Sequence, residues 1–458
     1  MTFLPALDPA TGETIRDLPL STAADVDAAV ARAHAARRGE WELPARRAEV
    51  LAAVGRGLLE RAEELALLEC RDTGKPLSQA RGDVVAAARY FAYYAGAADK
   101  IEGTSIPLGP GYVDYTIREP WGVCGQIIPW NYPLQVTART MAPALAAGNG
   151  VVLKPSEEAS ITPLELLATA RAAGLPPGVA EVVVGRGDVG EALVANPAVD
   201  HVTFVGSPAT GRRVAEAAAA RHAPVDLELG GKSPNVVFAD ADLDRAVPAV
   251  VRALVQNAGQ SCSAGSRLLV ERSRFDEVVE RVAAGLEALS IGPGIDDHDL
   301  GPLVSERQFR HASGMLERAR ATAEVVTGGA RAEGPGLDGG WYLQPTLLRR
   351  VGSGDEIWGE EVFGPVLVAA PFEGEEEAVA LANATPFGLV AGVWTSDLGR
   401  AHRVAAGLRC GQVFVNTYGV GGGVELPFGG VGRSGYGRGK GLAALRTYTQ
   451  VKNVCVAL

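Results

Sequence analysis

Apolar positions in the first hundred residues recur every three or four places, a period that predicts helices. Ser21 or Thr22 is the expected N-cap of the first, across STAADVDAAVARAHAARRGEW. A second is expected over PARRAEVLAAVGRGLLERAEELALLECRDTG, closed by Gly74 and Pro76, and a third over SQARGDVVAAARYFAYYAGAADK. After Gly103 the pattern changes. SIPLGPGYVDYTIREPWG is punctuated by proline and glycine and alternates through YVDYTI, which predicts an exposed hairpin or extended arm. Short apolar runs then alternate with Ala- and Leu-rich helical stretches: GVCGQIIP, GVVLKP, AEVVVG, HVTFVG and VDLELG. A second series begins near Gly230 and continues through RLLVER, AEVVTGG, VFGPVLVAAPF, LVAGVWTS and CGQVFVN. Strand and helix alternating at this tempo predict right-handed βαβ units on parallel sheets. The expected fold class is therefore α/β, two domains in tandem with a crevice between them. Gly328 to Gly340 is expected to be a surface loop.

Length and composition narrow the reading. A chain of 458 residues exceeds one ordinary core, and 47% hydrophobic with 21% charged residues is a soluble globular balance. A formal net charge of -11 argues against nucleic acid or an anionic membrane as partner. The opening MTFLPALDPATGETI lacks the basic and apolar regions of a secretory signal. No run approaches the roughly 18 apolar residues of a membrane helix. The five cysteines are odd in number, scattered, and never form C-x-x-C, which predicts reduced thiols in a cytoplasm. The six histidines are equally dispersed, so no metal site is expected.

Several motifs could serve a nucleotide. VVVGRGDVGEAL carries a G-x-G-x-x-G at Gly185, Gly187 and Gly190, but Val205 stands where an acidic ribose ligand belongs, and a plain tight turn fits equally. GGKS and RGKG both miss the phosphate-loop pattern, with Asp226 in place of its first glycine and Gly441 in place of its hydroxyl residue. VVLKPSEEASITP says more. Lys154 leaves a strand end, where nucleotides sit in parallel sheets, and Glu157 can accept both ribose hydroxyls while repelling a 2′-phosphate. An ordinary acidic helix start is the competing reading. In TFVGSPATGRR, Gly206 precedes Ser207, which caps a helix whose free N–H groups could face a pyrophosphate.

QNAGQSCSAGSR surrounds Cys262 with small residues, as if something must approach its sulfur. A nucleophilic cysteine needs a base or a lowered pKa, and donors for the oxyanion that forms. Glu228, at a strand end in DLELGGKSP, has little polar support from Leu229, Gly230 and Gly231, which suits a raised pKa and a general base. Asn131, in IIPWNYPLQ, could donate its amide to an oxyanion. A solvated strand-end carboxylate and an Asx-turn residue are the plain alternatives.

PWNYP, LKPSE, FVGS, LELGGKSP, NAGQSCSAGSR, EEVFGPV and PFGGVGRSGYGR stand in order along nearly the whole chain, and with them the sequence resembles the aldehyde dehydrogenase superfamily. The resemblance implies two Rossmann-like domains and a small β arm: an NAD-binding domain over 1–102 and 121–229, a catalytic domain over 230–444, and an oligomerisation arm over 103–120 and 445–458. It implies that Cys262 attacks an aldehyde, that Asn131 and the Cys262 N–H hold the oxyanion, that hydride loss leaves a thioester, and that Glu228 activates water. It also implies that Glu361 and Phe363 serve the nicotinamide half of NAD, and Trp130, Lys154 and Glu157 the adenosine half. Gly187, Gly206, Ser207 and Leu229 would line the same cleft, with NAD preferred over NADP. A homodimer or homotetramer is expected, since the arm strands would be sticky edges on a monomer.

The aldehyde itself is contested. In semialdehyde-oxidising members an arginine stands at the position of Arg139, but a second arginine expected six places before the cysteine is Gln256 here. Glu425 resembles the glutamate of members acting on betaine aldehyde and aminoaldehydes, for which Tyr132 and Tyr418 would form part of a cage. Gly421 to Gly423 suggest a roomy entrance. Arg139 and Glu425 could instead pair with each other. The overall resemblance leans to the betaine-aldehyde branch, with a carboxylate-bearing semialdehyde or a broad range of aliphatic and aromatic aldehydes as alternatives.

Overall fold

The structure is a computed structural model that describes residues 2–419 and 423–458. It opens on an antiparallel hairpin, Phe3–Leu7 with Thr14–Pro19, where the helical period predicts none. The hairpin is hard to see in the pattern because only Leu4, Ala6 and Leu18 turn inward, against Ile161 and Val184. The first helix, Ala23–Ala36, starts at Thr22, whose side chain and that of Asp25 cap each other's backbone N–H. The second expected helix is two, Pro44–Glu60 and Ala62–Thr73. They break at Arg61, whose guanidinium reaches Thr169 and Glu165 on helix Ile161–Ala172, each at 2.8 Å. The apolar period runs on through the break, so the pattern could not reveal it. The third is Leu77–Ala95.

Two sheets carry the α/β body. The first runs Gly435–Tyr436, Val225–Glu228, His201–Val205, Val123–Ile127, Gly150–Lys154, Ala180–Val182, parallel except for the antiparallel Gly435–Tyr436. The second runs Glu324–Thr327, Thr346–Arg349, Val366–Phe372, Arg267–Glu271, Pro234–Val237, Val390–Trp394, Gln412–Val415, with only its first pair antiparallel. Helices cover both faces, so central strands such as His201–Val205 and Val390–Trp394 are buried throughout. Pro234–Val237 and Thr346–Arg349 are among the strands absent from the sequence reading. Each is four residues long and begins at or beside a proline, which reads as a turn. A third sheet pairs Tyr112–Pro120 with Thr449–Ala457 on one side and Ser105–Ile106 on the other, the extended arm the pattern predicts. Among the described residues no helix is long and apolar enough to cross a membrane.

One buried ionic cluster supports the inner wall of the interdomain crevice. Lys75, with no exposed side-chain surface, pairs with Glu69 at 3.2 Å and with Asp83, and its Nζ lies 4.4 Å over the Tyr132 ring. Removing the cation leaves two carboxylates buried without it, a loss of about 3–5 kcal/mol for broken buried pairs. Lys75→Met should therefore lower the apparent melting temperature by roughly 5 °C or more. A thermal scan with no shift would contradict this.

Candidate active site

The turns that leave the first sheet and the loop that enters the second enclose one cavity of about 1810 Å³. Every candidate residue named from the sequence borders it except Glu425. Asn131 follows strand Val123–Ile127, Lys154 ends the next strand, and Glu228 ends strand Val225–Glu228. Cys262 lies just before strand Arg267–Glu271.

The cysteine loop is shaped by its backbone. Asn257 (φ 51°), Ala258 (φ 52°) and Gly259 (φ 74°) stand consecutively in the left-handed region, a conformation costly for the first two. Side-chain amides hold it there. Asn257 Nδ2 donates to the Asn131 carbonyl at 2.8 Å, and Asn131 Nδ2 donates to the Gln260 carbonyl at 2.9 Å. The Asn131 amide carries a second N–H, and its Oδ1 is buried without a hydrogen-bond partner among the described residues. Gly231 lets the loop come close, since a Cβ there would lie 2.3 Å from the Cys262 carbonyl oxygen.

Cys262 is half-buried, and burial pushes its thiol up to about 11, with Arg139 and Lys440 opposing and Glu361 and Glu228 adding to the rise. Glu228 is buried and shifted upward, again chiefly by burial, with Arg139 as the largest opposing influence. Its polar support is therefore greater than its glycine neighbours suggest. Arg139 Nη2 donates directly to Glu228 Oε2, and both side chains are almost fully buried. Two expectations change with this contact. Arg139 does not pair with Glu425, and its charge is engaged by Glu228 instead of standing open to a substrate carboxylate. Glu425 is exposed, pairs with Arg89 on helix Leu77–Ala95, and lies outside the cavity lining.

Tyr132 and Tyr418 do border the cavity, but Lys75 covers the Tyr132 ring, and Tyr418 donates its hydroxyl to the Ser263 carbonyl at 2.8 Å. Gln256 lines the wall as well. Gly421 and Gly422 lie outside the described residues.

The other end of the cavity is suited to a dinucleotide. Lys154 Nζ stands 3.4 Å from Glu157 Oε2 at the strand end. Helices Gly187–Ala195 and Pro208–Ala219 begin at the cavity, the second capped by Ser207, and their free N–H groups attract anions. Gly206 and Leu229 line the same cavity. Nearer Cys262, Trp130 meets Phe363 edge to face at 5.3 Å. The Gln308 amide pins the Phe363 carbonyl at 2.8 Å, and Phe363 itself has φ 54°. Glu361 Oε1 accepts from Gly231 N at 2.9 Å, and burial pushes its carboxyl up to about 8. A carboxylate beside a lysine, two helix starts and an aromatic pair are the donor set that NAD needs. Among the described residues no cluster of His, Cys, Asp and Glu could hold a metal.

Phe428 and Lys440 belong to the same wall and are missing from the sequence reading. Lys440 is the lysine of RGKG, dismissed above as a failed phosphate loop. Its signal was its place two residues beyond PFGGVGRSGYGR. Because the Cys262 thiol is held near 11, its alkylation by iodoacetamide should rise roughly tenfold per pH unit from pH 7 to 9, as the thiolate fraction does. Mass spectrometry of the Cys262 peptide reads the rate, and a plateau below pH 9 would contradict it.

The Aldehyde dehydrogenase family profile matches residues 2–454. A betaine aldehyde dehydrogenase of Cereibacter sphaeroides is 45% identical over 460 residues, covering 99% of this chain and 94% of that protein. The NAD+ complex of an aldehyde dehydrogenase from Bacillus cereus superposes with a TM-score of 0.97 at 38% identity, covering 100% of this chain and 94% of that one. PnpE from Pseudomonas sp. WBC-3, in complex with nicotinamide adenine dinucleotide, gives 0.97 at 39%, with the same coverages.

Proposed function

The chain belongs to the aldehyde dehydrogenase family, and from that premise we propose that it oxidises an aldehyde to the carboxylic acid with NAD, through Cys262, Asn131 and Glu228. The observation that carries the reading is their meeting in one cavity whose far end holds Lys154, Glu157 and two helix starts. Cys262 Sγ, as the thiolate, bonds to the aldehyde carbon after its proton has passed to solvent. The second Asn131 N–H and the Cys262 N–H hold the resulting oxyanion. NAD, when bound, supplies the acceptor for the hydride on that carbon. Glu228 takes a proton from the water that attacks the thioester on Cys262. Cleavage of the C–S bond then frees the acid. Trp130, Phe363 and Glu361 would hold the nicotinamide half, and Lys154, Glu157, Gly187, Gly206, Ser207 and Leu229 the adenosine and phosphate half.

The domain division follows the same reading: 1–102 with 121–229 for NAD, 230–444 for catalysis, 103–120 with 445–458 for association. Exposed Tyr112, Val113, Tyr115, Val451 and Val456 on the third sheet support a homodimer or homotetramer. Five free cysteines support a cytoplasmic site of action.

The name of the Cereibacter relative supports betaine aldehyde as substrate. The chamber favours an aldehyde without a positive charge. A cation cage needs open aromatic faces. Lys75 already covers Tyr132, while Arg139 and Lys440 lie 5.1 and 5.0 Å over Phe428. A quaternary ammonium would add a third cation beside Arg139 and Lys440. In a panel followed by NADH absorbance, kcat/KM for hexanal, benzaldehyde or succinic semialdehyde should exceed that for betaine aldehyde by about tenfold or more, a difference of roughly 1.4 kcal/mol. The reverse order returns the substrate to the betaine branch. Cys262→Ala should abolish turnover on all of them.

Glu157 sets the cofactor preference. Its carboxylate would face a 2′-phosphate at close range, so NAD should exceed NADP in kcat/KM by about tenfold or more, and Glu157→Ser should narrow that ratio. Equal kcat/KM for both cofactors in the wild type would overturn the assignment.

A further inference from the structure

We propose that Arg139 is the positioning residue of the hydrolytic step: its guanidinium seats Glu228 in a preformed slot and keeps it a carboxylate. The proposal rests on Glu228 being the base, as read above. Four contacts build the slot. Arg139 Nη2 donates to Glu228 Oε2. The same guanidinium lies 5.1 Å over the Phe428 ring, so the ring fixes its plane. Phe428 in turn forms a two-way backbone bridge with Gly439, N to O at 2.7 and 2.8 Å. Gly439 is the floor under the other carboxylate oxygen, since a Cβ there would stand 2.2 Å from Glu228 Oε1. One carboxylate oxygen is thus held by a cation and the other fits against backbone that only glycine leaves open. The strand end is fixed too: Gly435 pairs with Glu228 in the first sheet, and Gly206 N donates to the Glu228 carbonyl at 3.1 Å.

The charge facing Glu228 makes Arg139 decisive. Lys440 adds a second cation, while Asp226 and Cys262 and the phenols of Tyr90, Tyr94 and Tyr448 bear on it from the other elements. Burial and the neighbouring Arg139 cation push Lys440 down to about 8, so its charge fades within the working range. Arginine does not lose its proton in that range. Burial raises Glu228, and Arg139 opposes the rise. Removing the guanidinium must raise the carboxyl further. The base then works only above a higher pH, and the acid limb of hydrolysis moves upward. Acylation, which leaves the thioester on Cys262, is spared in comparison.

The test compares wild type with Arg139→Met, Arg139→Lys and Glu228→Gln, reading steady-state kcat against pH and the first-turnover burst of NADH. For Arg139→Met the acid limb should rise by about one unit or more, the range an adjacent opposite charge commands. Turnover at pH 7 should fall about tenfold or more and recover towards pH 9, with the burst retained. Arg139→Lys should restore the limb towards the wild-type position. Should Arg139→Met fail to fold, Arg139→Gln, which keeps a donor but no charge, must show the same rise. A limb that stays in place in the folded neutral variant, with Glu228→Gln losing steady turnover, overturns the role of Arg139 alone. Undiminished steady turnover in Glu228→Gln overturns the reading of Glu228 as base.

Discussion

The reciprocal amide bonds between Asn131 and the 257–260 loop tie the two α/β halves together, and the rest of the site is measured from them. Asn131 belongs to a turn of the first sheet, and the loop precedes a strand of the second. Gln260 extends the lock: its amide donates to the Asn257 carbonyl at 3.0 Å and accepts from Val304 N at 2.9 Å. Gln79, on helix Leu77–Ala95, accepts from Asn257 N at 2.8 Å. Left-handed backbone at Asn257 and Ala258 costs about 1–3 kcal/mol each, so a surrounding network has to over-determine it. In a dry interior such a network is rigid because every bond lost would strand a buried amide. The position of Cys262 is therefore inherited from both sheets at once.

With the sulfur fixed, two carboxylates face it in unlike surroundings. Glu361 has a backbone N–H from Gly231 and a neighbour, Lys232, that burial itself pushes down to about 7. Glu361 rises to about 8, so this pair leans towards neutrality. Glu228 has a permanent cation in contact. Two carboxyl groups with environments that push them apart take different tasks. The one with a cation in contact is fit to remove protons, and the one that leans neutral is fit to hold hydroxyls.

Sequence pattern carried the fold class, the arm and most strands, because parallel strands buried on both faces stand out as apolar runs. It missed the amino-terminal hairpin, where few side chains turn inward, and the break at Arg61, which is made by partners about a hundred residues away. The site divides the same way. Cys262, Glu228, Asn131, Lys154 and Glu157 are legible because each sits in a local motif whose chemistry can be named. Arg139 was legible through the resemblance to semialdehyde-oxidising members, but not as the partner of Glu228. That pairing spans 89 positions, and no local spacing encodes it. Glu425 misled for the converse reason: its motif neighbours line the cavity, yet its side chain turns out to Arg89.

The chamber wall explains why substrate choice is the least legible property. Arg139, Phe428, Gly439 and Lys440 come from two distant segments and act on one another before they act on any ligand. The Phe428 ring, which could receive a cation from outside, receives two from inside. On the proposed reading, discrimination in such a wall would be repulsive, coming from ring faces already committed and not from attraction to one particular alternative. On the proposed reading, the guanidinium that steadies the base also occupies the ring face a cationic head would need, so hydrolysis and selectivity would meet at one side chain.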